Sequence, residues 1–94
     1  MKRGVSLAWT VDYTQGAIRE LGKLDRTAAK RIFDFMDQRV ATSSDPRLAG
    51  RALRGPLGDR WRYRVGDYRV ICEIKDSSLV ILVVQVGHRS SIYG

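Results

Sequence analysis

The chain has 94 residues, 44% of them hydrophobic, with 17 Lys and Arg against 10 Asp and Glu and a net charge of +7. That is one small domain, 1–94, with apolar material for a core, which excludes a disordered tail and a multidomain machine. So large a positive excess on so small a body points to a polyanionic partner, nucleic acid or an acidic protein.

Thr10 closes a short alternating stretch from Val5 that reads as a strand. Asp12 or Thr14 supplies an N-cap oxygen for a first helix, which ends near Leu21 or Gly22 and carries Ala17, Ile18, Leu21 and Leu24 at helical spacing. Asp25 caps a second helix. Its apolar stripe is Ala28, Ile32, Phe35, Met36 and Val40, and Ser43, Ser44 and Asp45-Pro46 end it. Arg47 to Gly58 reads as irregular or as a short turn of helix. Three strands follow, Trp61 to Val65, Tyr68 to Lys75 and Leu79 to Gly87, joined by turns too short for anything but antiparallel pairing. The expected fold is therefore α+β, an N-terminal strand and a helical hairpin packed on one face of a small, mainly antiparallel four-stranded sheet.

A lone cysteine, Cys72, excludes an internal disulfide framework and lies in a hydrophobic run, as a core thiol would. No apolar run reaches the length of a membrane span, and Met1-Lys2-Arg3-Gly4 leads into no signal-peptide apolar stretch. The expected location is the cytoplasm, with no membrane contact. Asp67, Glu73 and Asp76 have no metal-ligand spacing, one His and one Cys cannot build a zinc site, and no phosphate-cradling glycine loop is present. Neither a metal nor a small-molecule cofactor is expected.

Alternation along strands sorts the remaining charges. Arg60, Arg62 and Arg64 share one face of their strand, opposite Trp61, Tyr63 and Val65, which belong in the core. Arg69, Ile71 and Glu73 share a face of the next strand. Strict alternation on the last strand puts Leu79, Ile81, Val83 and Gln85 together, so Gln85 joins the arginine face and Arg89 follows one step beyond. Ile81 and Val83 then count as uncovered apolar residues on that face, where a segment of a partner protein is expected to lie. Arginine suits phosphate, because its planar fork binds oxygens bidentately and stays charged. Polar residues on a half-exposed sheet are common, so parity by itself is a weak sign of a site.

These residues also carry a family likeness. Arg51-Ala-Leu-Arg-Gly-Pro-Leu57, Trp61-Arg-Tyr-Arg-Val-Gly-Asp-Tyr-Arg-Val-Ile-Cys-Glu-Ile74 and Leu82-Val-Val-Gln-Val-Gly-His-Arg89, with Tyr93 four residues later, resemble the RelE/ParE superfamily of type II toxin–antitoxin toxins over nearly the whole chain. The resemblance implies a RelE-like, microbial-ribonuclease-like fold and an acidic antitoxin partner. In the family's ribonuclease branch it also implies cleavage of messenger RNA in the A site of the 70S ribosome. Carried over residue by residue, the catalytic set is Arg62, Arg64, Arg69, Arg89 and Tyr93. Arg54, Arg60, Gln85 and His88 are further RNA-contacting candidates. Some relatives have lysines at the places of Arg62 and Arg64, and arginine does not readily move protons.

RNA carries its own nucleophile, the 2′-hydroxyl, so positioning and charge stabilisation suffice. Arg69 and Arg89 are expected on the scissile phosphate, Arg62 and Arg64 on the flanking backbone, and Tyr93 as general base or 2′-hydroxyl positioner. The products would be a 2′,3′-cyclic phosphate and a 5′-hydroxyl. His88, the only histidine, has opposite parity to Arg89 and also fits a packing or capping role. Two other classes remain open from the residues, a ParE-like inhibitor of DNA gyrase without nuclease activity and a non-catalytic basic nucleic-acid-binding module.

Overall fold

The computed structural model describes residues 9–53 and 60–91. In chain order these form β1 (Thr10–Tyr13), α1 (Gln15–Gly22), α2 (Arg26–Phe35), a π-helical turn (Met36–Val40), a 3-10 turn (Pro46–Ala49), β2 (Arg51–Leu53), β3 (Arg60–Val65), β4 (Tyr68–Lys75), a second 3-10 turn (Asp76–Ser78) and β5 (Val80–His88). The sheet order is β1-β5-β4-β3-β2, with β1 parallel to β5 and the other pairs antiparallel. The α+β class stands. The sheet has five strands rather than four, because Arg51–Leu53 pairs with Arg60–Arg62 where an irregular segment was expected.

Both helix starts follow from their capping side chains. Thr14 Oγ1 accepts from the Ala17 N–H at 3.1 Å and Asp25 Oδ1 from the Ala28 N–H at 2.9 Å, each satisfying an orphan amide of the first turn. Thr14, not Asp12, is the first cap. Asp12 lies in β1, which falls at Thr10–Tyr13 instead of earlier; residues 5–8 of the expected strand lie outside the described residues. The expected stripe on the second helix is real: Ala28, Ile32, Met36 and Val40 are buried, and Phe35 packs against them half-covered. The helix departs from α geometry at Met36, where the Ala41 N–H donates to the Met36 carbonyl at 2.8 Å.

The core lies between the helices and one face of the sheet. Ala17 and Leu21 of α1 and the α2 stripe meet Tyr63, Val70, Cys72, Ile81, Val83 and Val86. Cys72 is fully buried, and that burial pushes its thiol well above the ordinary range, so it is an inert packing residue. Tyr63 is also fully buried, and its hydroxyl donates to the Pro46 carbonyl at 2.6 Å, tying the 3-10 turn to the sheet.

β5 does not alternate strictly. Ile71 faces Gln85 but Cys72 faces Val83, so Val84 is an extra residue on β5. Such a bulge reverses the parity of everything on one side of it. Ile81 and Val83 accordingly point into the core and are wholly buried, and the expectation that they line the arginine face is overturned. Among the described residues no strand lies beside the outer edge of β5 past the Tyr13–Val83 pair. Glu20 on α1 covers part of this edge, its Oε1 accepting from the Val86 N–H at 2.7 Å. An otherwise orphaned strand amide is satisfied in this way.

Candidate nucleic-acid interface

The face of the sheet turned away from the helices gathers the arginines. In β3–β4 register Arg64 stands directly opposite Arg69, and Arg62 opposite Ile71. In β2–β3 register Arg51 stands directly opposite Arg62. Gln85 lies beyond Ile71 and is exposed, while Gly87 lies beyond Arg69. The row Arg51–Arg62–Ile71–Gln85 thus crosses four strands beside the row Arg64–Arg69–Gly87. Ile71 is 2% exposed although it lies outside the core cluster, so the arginine face has a covered apolar centre.

Arg89 follows β5, and its N–H donates to the Asp67 carbonyl at 2.8 Å, which fixes the residue beside the β3–β4 turn. That turn needs Gly66, whose φ of 58° is left-handed. Desolvation, and then the positive charges of Arg64, Arg62 and Arg89, lower the Arg69 pKa, with Asp67 opposing. The charges of three of the expected residues, Arg62, Arg64 and Arg89, thus reach the fourth, Arg69. The Arg69 guanidinium leans on the hairpin, donating to the Tyr68 carbonyl at 3.1 Å.

Among the described residues, none of these four forms an ion pair with a carboxylate. The carboxylates that do pair hold other cations, Asp34 with Lys30, Asp76 and Asp45 with Arg47, and Glu73 with Arg60 and Lys75. Arg60 shares the face, but at 3.3 Å from Glu73 it is partly neutralised. His88 is not brought to the cluster. It pairs in register with Tyr68, one position off Arg69, and stacks edge-on against the Tyr68 ring at 5.7 Å. Its Nδ1 lies 2.9 Å from the Ser90 hydroxyl, as in a local cap. Arg54 and Tyr93 lie outside the described residues. Among the described residues no group of three or more His, Cys, Asp or Glu gathers as metal ligands do.

Arg51 was missed as a site residue. Its strand is three residues long, and only the cross-strand register brings it opposite Arg62. Beside this pair is a depression of about 310 Å3 lined by Leu48, Ala49, Gly50, Arg51, Arg62 and Arg64. Gly50 makes it possible. A Cβ there would come within 2.4 Å of the Arg62 carbonyl oxygen and 2.7 Å of the Trp61 ring. Gly50→Ala should destabilise the protein by about 1–3 kcal/mol, the usual cost of forced overpacking, and displace β2 from β3. A denaturant midpoint unchanged from wild type would contradict this.

Like charges directly opposite on neighbouring strands are unfavourable. The chain has two such pairs on one face, Arg51 with Arg62 and Arg64 with Arg69, which a purely structural sheet would avoid. Arg64→Thr should therefore raise stability by about 0.2–1 kcal/mol, read as a higher urea midpoint, while weakening anion binding. A lower midpoint would mean that the arginine side chain packs rather than repels.

A helical hairpin packed on one face of a mixed five-stranded sheet is the fold that this chain shares with solved RelE-type toxins. The chain belongs to the ParE toxin family of type II toxin–antitoxin systems, whose family model matches residues 11–93. It is 30% identical over 87 residues to the toxin RelG of Mycobacterium tuberculosis, covering 93% of this chain and 98% of that protein. It is 28% identical over 90 residues to the mRNA interferase toxin RelE of Escherichia coli, covering 93% and 92% respectively. Among solved structures, a toxin–antitoxin complex, RelBE2 of Mycobacterium tuberculosis, superposes with a TM-score of 0.80 at 27% identity over 89% of this chain and 94% of that one. A mutant of the Escherichia coli toxin RelE in the free state gives 0.72 at 25% identity over 90% and 87%.

Proposed function

We propose that this toxin is an endoribonuclease that cuts messenger RNA by attack of the 2′-hydroxyl on the adjacent phosphate, with no metal in the chemical step, and that it acts on the translating ribosome. The observation that carries this reading is the convergence of Arg62, Arg64, Arg69 and Arg89 on one open face, where two arginine pairs stand directly opposed. A phosphodiester placed there relieves the mutual repulsion, and its developing negative charge meets donors already in position. Arg69 and Arg89, at the turn end of the face, take the scissile phosphate. Arg62 and Arg64 hold the flanking backbone. Tyr93, as its phenolate, takes the proton from the 2′-hydroxyl, or its hydroxyl positions that group, and the departing 5′-oxygen takes up a proton from water. The relative named an mRNA interferase supports the substrate assignment.

The partner that silences the toxin is an acidic antitoxin, in keeping with the net charge of +7 and with the complexed state in which the Mycobacterium relative was solved. Its expected footing on Ile81 and Val83 is withdrawn, since both are core residues. The open-face apolar positions of β5 are Leu82 and Val80, in register with Glu73 and Lys75.

The ParE family match favours one second reading, inhibition of DNA gyrase by the same fold without cleavage of RNA. Purified toxin added to ribosomes stalled on a defined message separates the two. Cleavage with 5′-hydroxyl and 2′,3′-cyclic phosphate ends supports the ribonuclease. Intact message, together with gyrase-dependent breaks in supercoiled DNA, would replace it with the gyrase reading.

A further inference from the structure

A second depression, of about 440 Å3, lies on the helix side of the β3–β4 turn, away from the apolar groove of the helical hairpin. Phe35 and Val65 floor it, Gln38 lies on its wall, and Arg31, Arg39 and Arg64 line it. Arg64 also lines the open-face depression with Arg51 and Arg62, so the two hollows share a wall. This sharing follows from the length of β2. It pairs β3 only as far as Arg62, which leaves no β2 partner for Tyr63–Val65 and puts Arg64 at a rim between the two faces. Arg31 reaches the same rim, its guanidinium within 3.3 Å of where a side chain on Gly66 would begin. Arg39 lies over the Phe35 ring, 5.7 Å from its centroid. The carboxylate in the hollow, Asp34, is already engaged by Lys30 at 2.7 Å. Among the described residues Arg31, Arg39 and Arg64 form no ion pair.

We infer that this hollow is a second RNA subsite, in which Arg31, Arg39 and Arg64 hold phosphodiester groups of a strand continuing around the β3 rim from the open face. This rests on the ribonuclease reading for the identity of the polyanion. Guanidinium forks match phosphate oxygens, and Phe35 with Arg39 over it offers a plane of the kind on which an unpaired base stacks. An acidic protein segment would use the charge but leave that aromatic floor and the continuity through Arg64 without a role. The phosphates have two possible sources, the substrate strand itself or a structured ribosomal RNA beside it.

The test measures equilibrium binding of wild-type toxin, Arg31→Ala/Arg39→Ala and Arg19→Ala/Lys23→Ala across a salt series. The last variant removes equal charge from α1, away from both hollows. Probes are single-stranded RNAs of about four and about sixteen nucleotides, lengths that bracket common single-strand site sizes, and empty ribosomes. Two lost phosphate contacts lower the slope of log affinity against log salt by about 1.4, or about 25-fold in affinity per decade of salt. That loss is expected for the longer RNA if the source is the substrate strand, and for ribosomes alone if it is ribosomal RNA. It should be small for the short RNA and for the α1 variant. Arg31→Lys/Arg39→Lys should restore most of the affinity. Equal losses in both alanine variants, or none in either, would overturn the subsite, as would wild-type RNA binding alongside a loss confined to antitoxin binding. Wild-type toxin that binds these RNAs but leaves messenger RNA on translating ribosomes intact would sink the ribonuclease reading and leave the subsite standing. Failure to bind any of these RNAs would remove both.

Discussion

Arg69→Ala/Arg89→Ala toxin should cut messenger RNA about 10³-fold more slowly than wild type at saturating toxin, the scale set by loss of preorganised charge-stabilising donors. The two residues come to the same hairpin from different elements. Arg69 is the second residue of β4, and Arg89 follows β5 with its backbone anchored on the Asp67 carbonyl at 2.8 Å. Both flank the turn where the positive charges of Arg62 and Arg64 also converge. Because the residues act as a unit, the double variant should lose little more than the worse single variant. The loss should fall mainly on the chemical step, as an interaction strongest in the transition state requires. Stability should hold or rise, since a cross-strand repulsion is relieved. Single-turnover cleavage beside urea unfolding reads both, and a slow but less stable variant would point to misfolding instead of lost chemistry.

Tyr93→Phe should lower the cleavage rate by about 10²–10⁴-fold, the usual contribution of a positioned general base, with RNA binding nearly intact. The substitution removes one hydroxyl and keeps the ring. Arginines do not readily accept a proton, and His88 stands with Tyr68 and Ser90, one register position off Arg69. That leaves the tyrosine as the group of suitable chemistry in the carried-over set. Full activity in the phenylalanine variant would remove the assignment and turn attention to His88, where His88→Ala is the companion measurement.

Much of this site can be read from the sequence because β3 and β4 are regular. Arg60, Arg62 and Arg64 alternate with Trp61, Tyr63 and Val65, and a tight turn at Gly66 fixes the register that sets Arg64 opposite Arg69. The helix starts are legible for a similarly local reason, since Thr14 and Asp25 cap amides three residues on. What the sequence hides is non-local. The Val84 bulge is a matter of pairing between β4 and β5, and a period of two carried through it assigns Ile81 and Val83 to the wrong face. Arg51 becomes a site residue only through three rungs of pairing with β3. Glu20 looks like helix surface, yet it closes the bare edge of β5 at Val86. The hollow of Arg31, Arg39 and Arg64 joins α2 to the end of β3, 25 or more residues away in the chain, and no short motif marks it.

Mapping messenger RNA 5′ ends across a bacterial transcriptome after induced expression, with Arg69→Ala/Arg89→Ala toxin expressed in parallel, tests the ribonuclease assignment most directly. New ends confined to translated codons, in frame, present with wild type and gone with the variant, are the expected result. Growth arrest with no new ends, or the same ends in the variant, would contradict it.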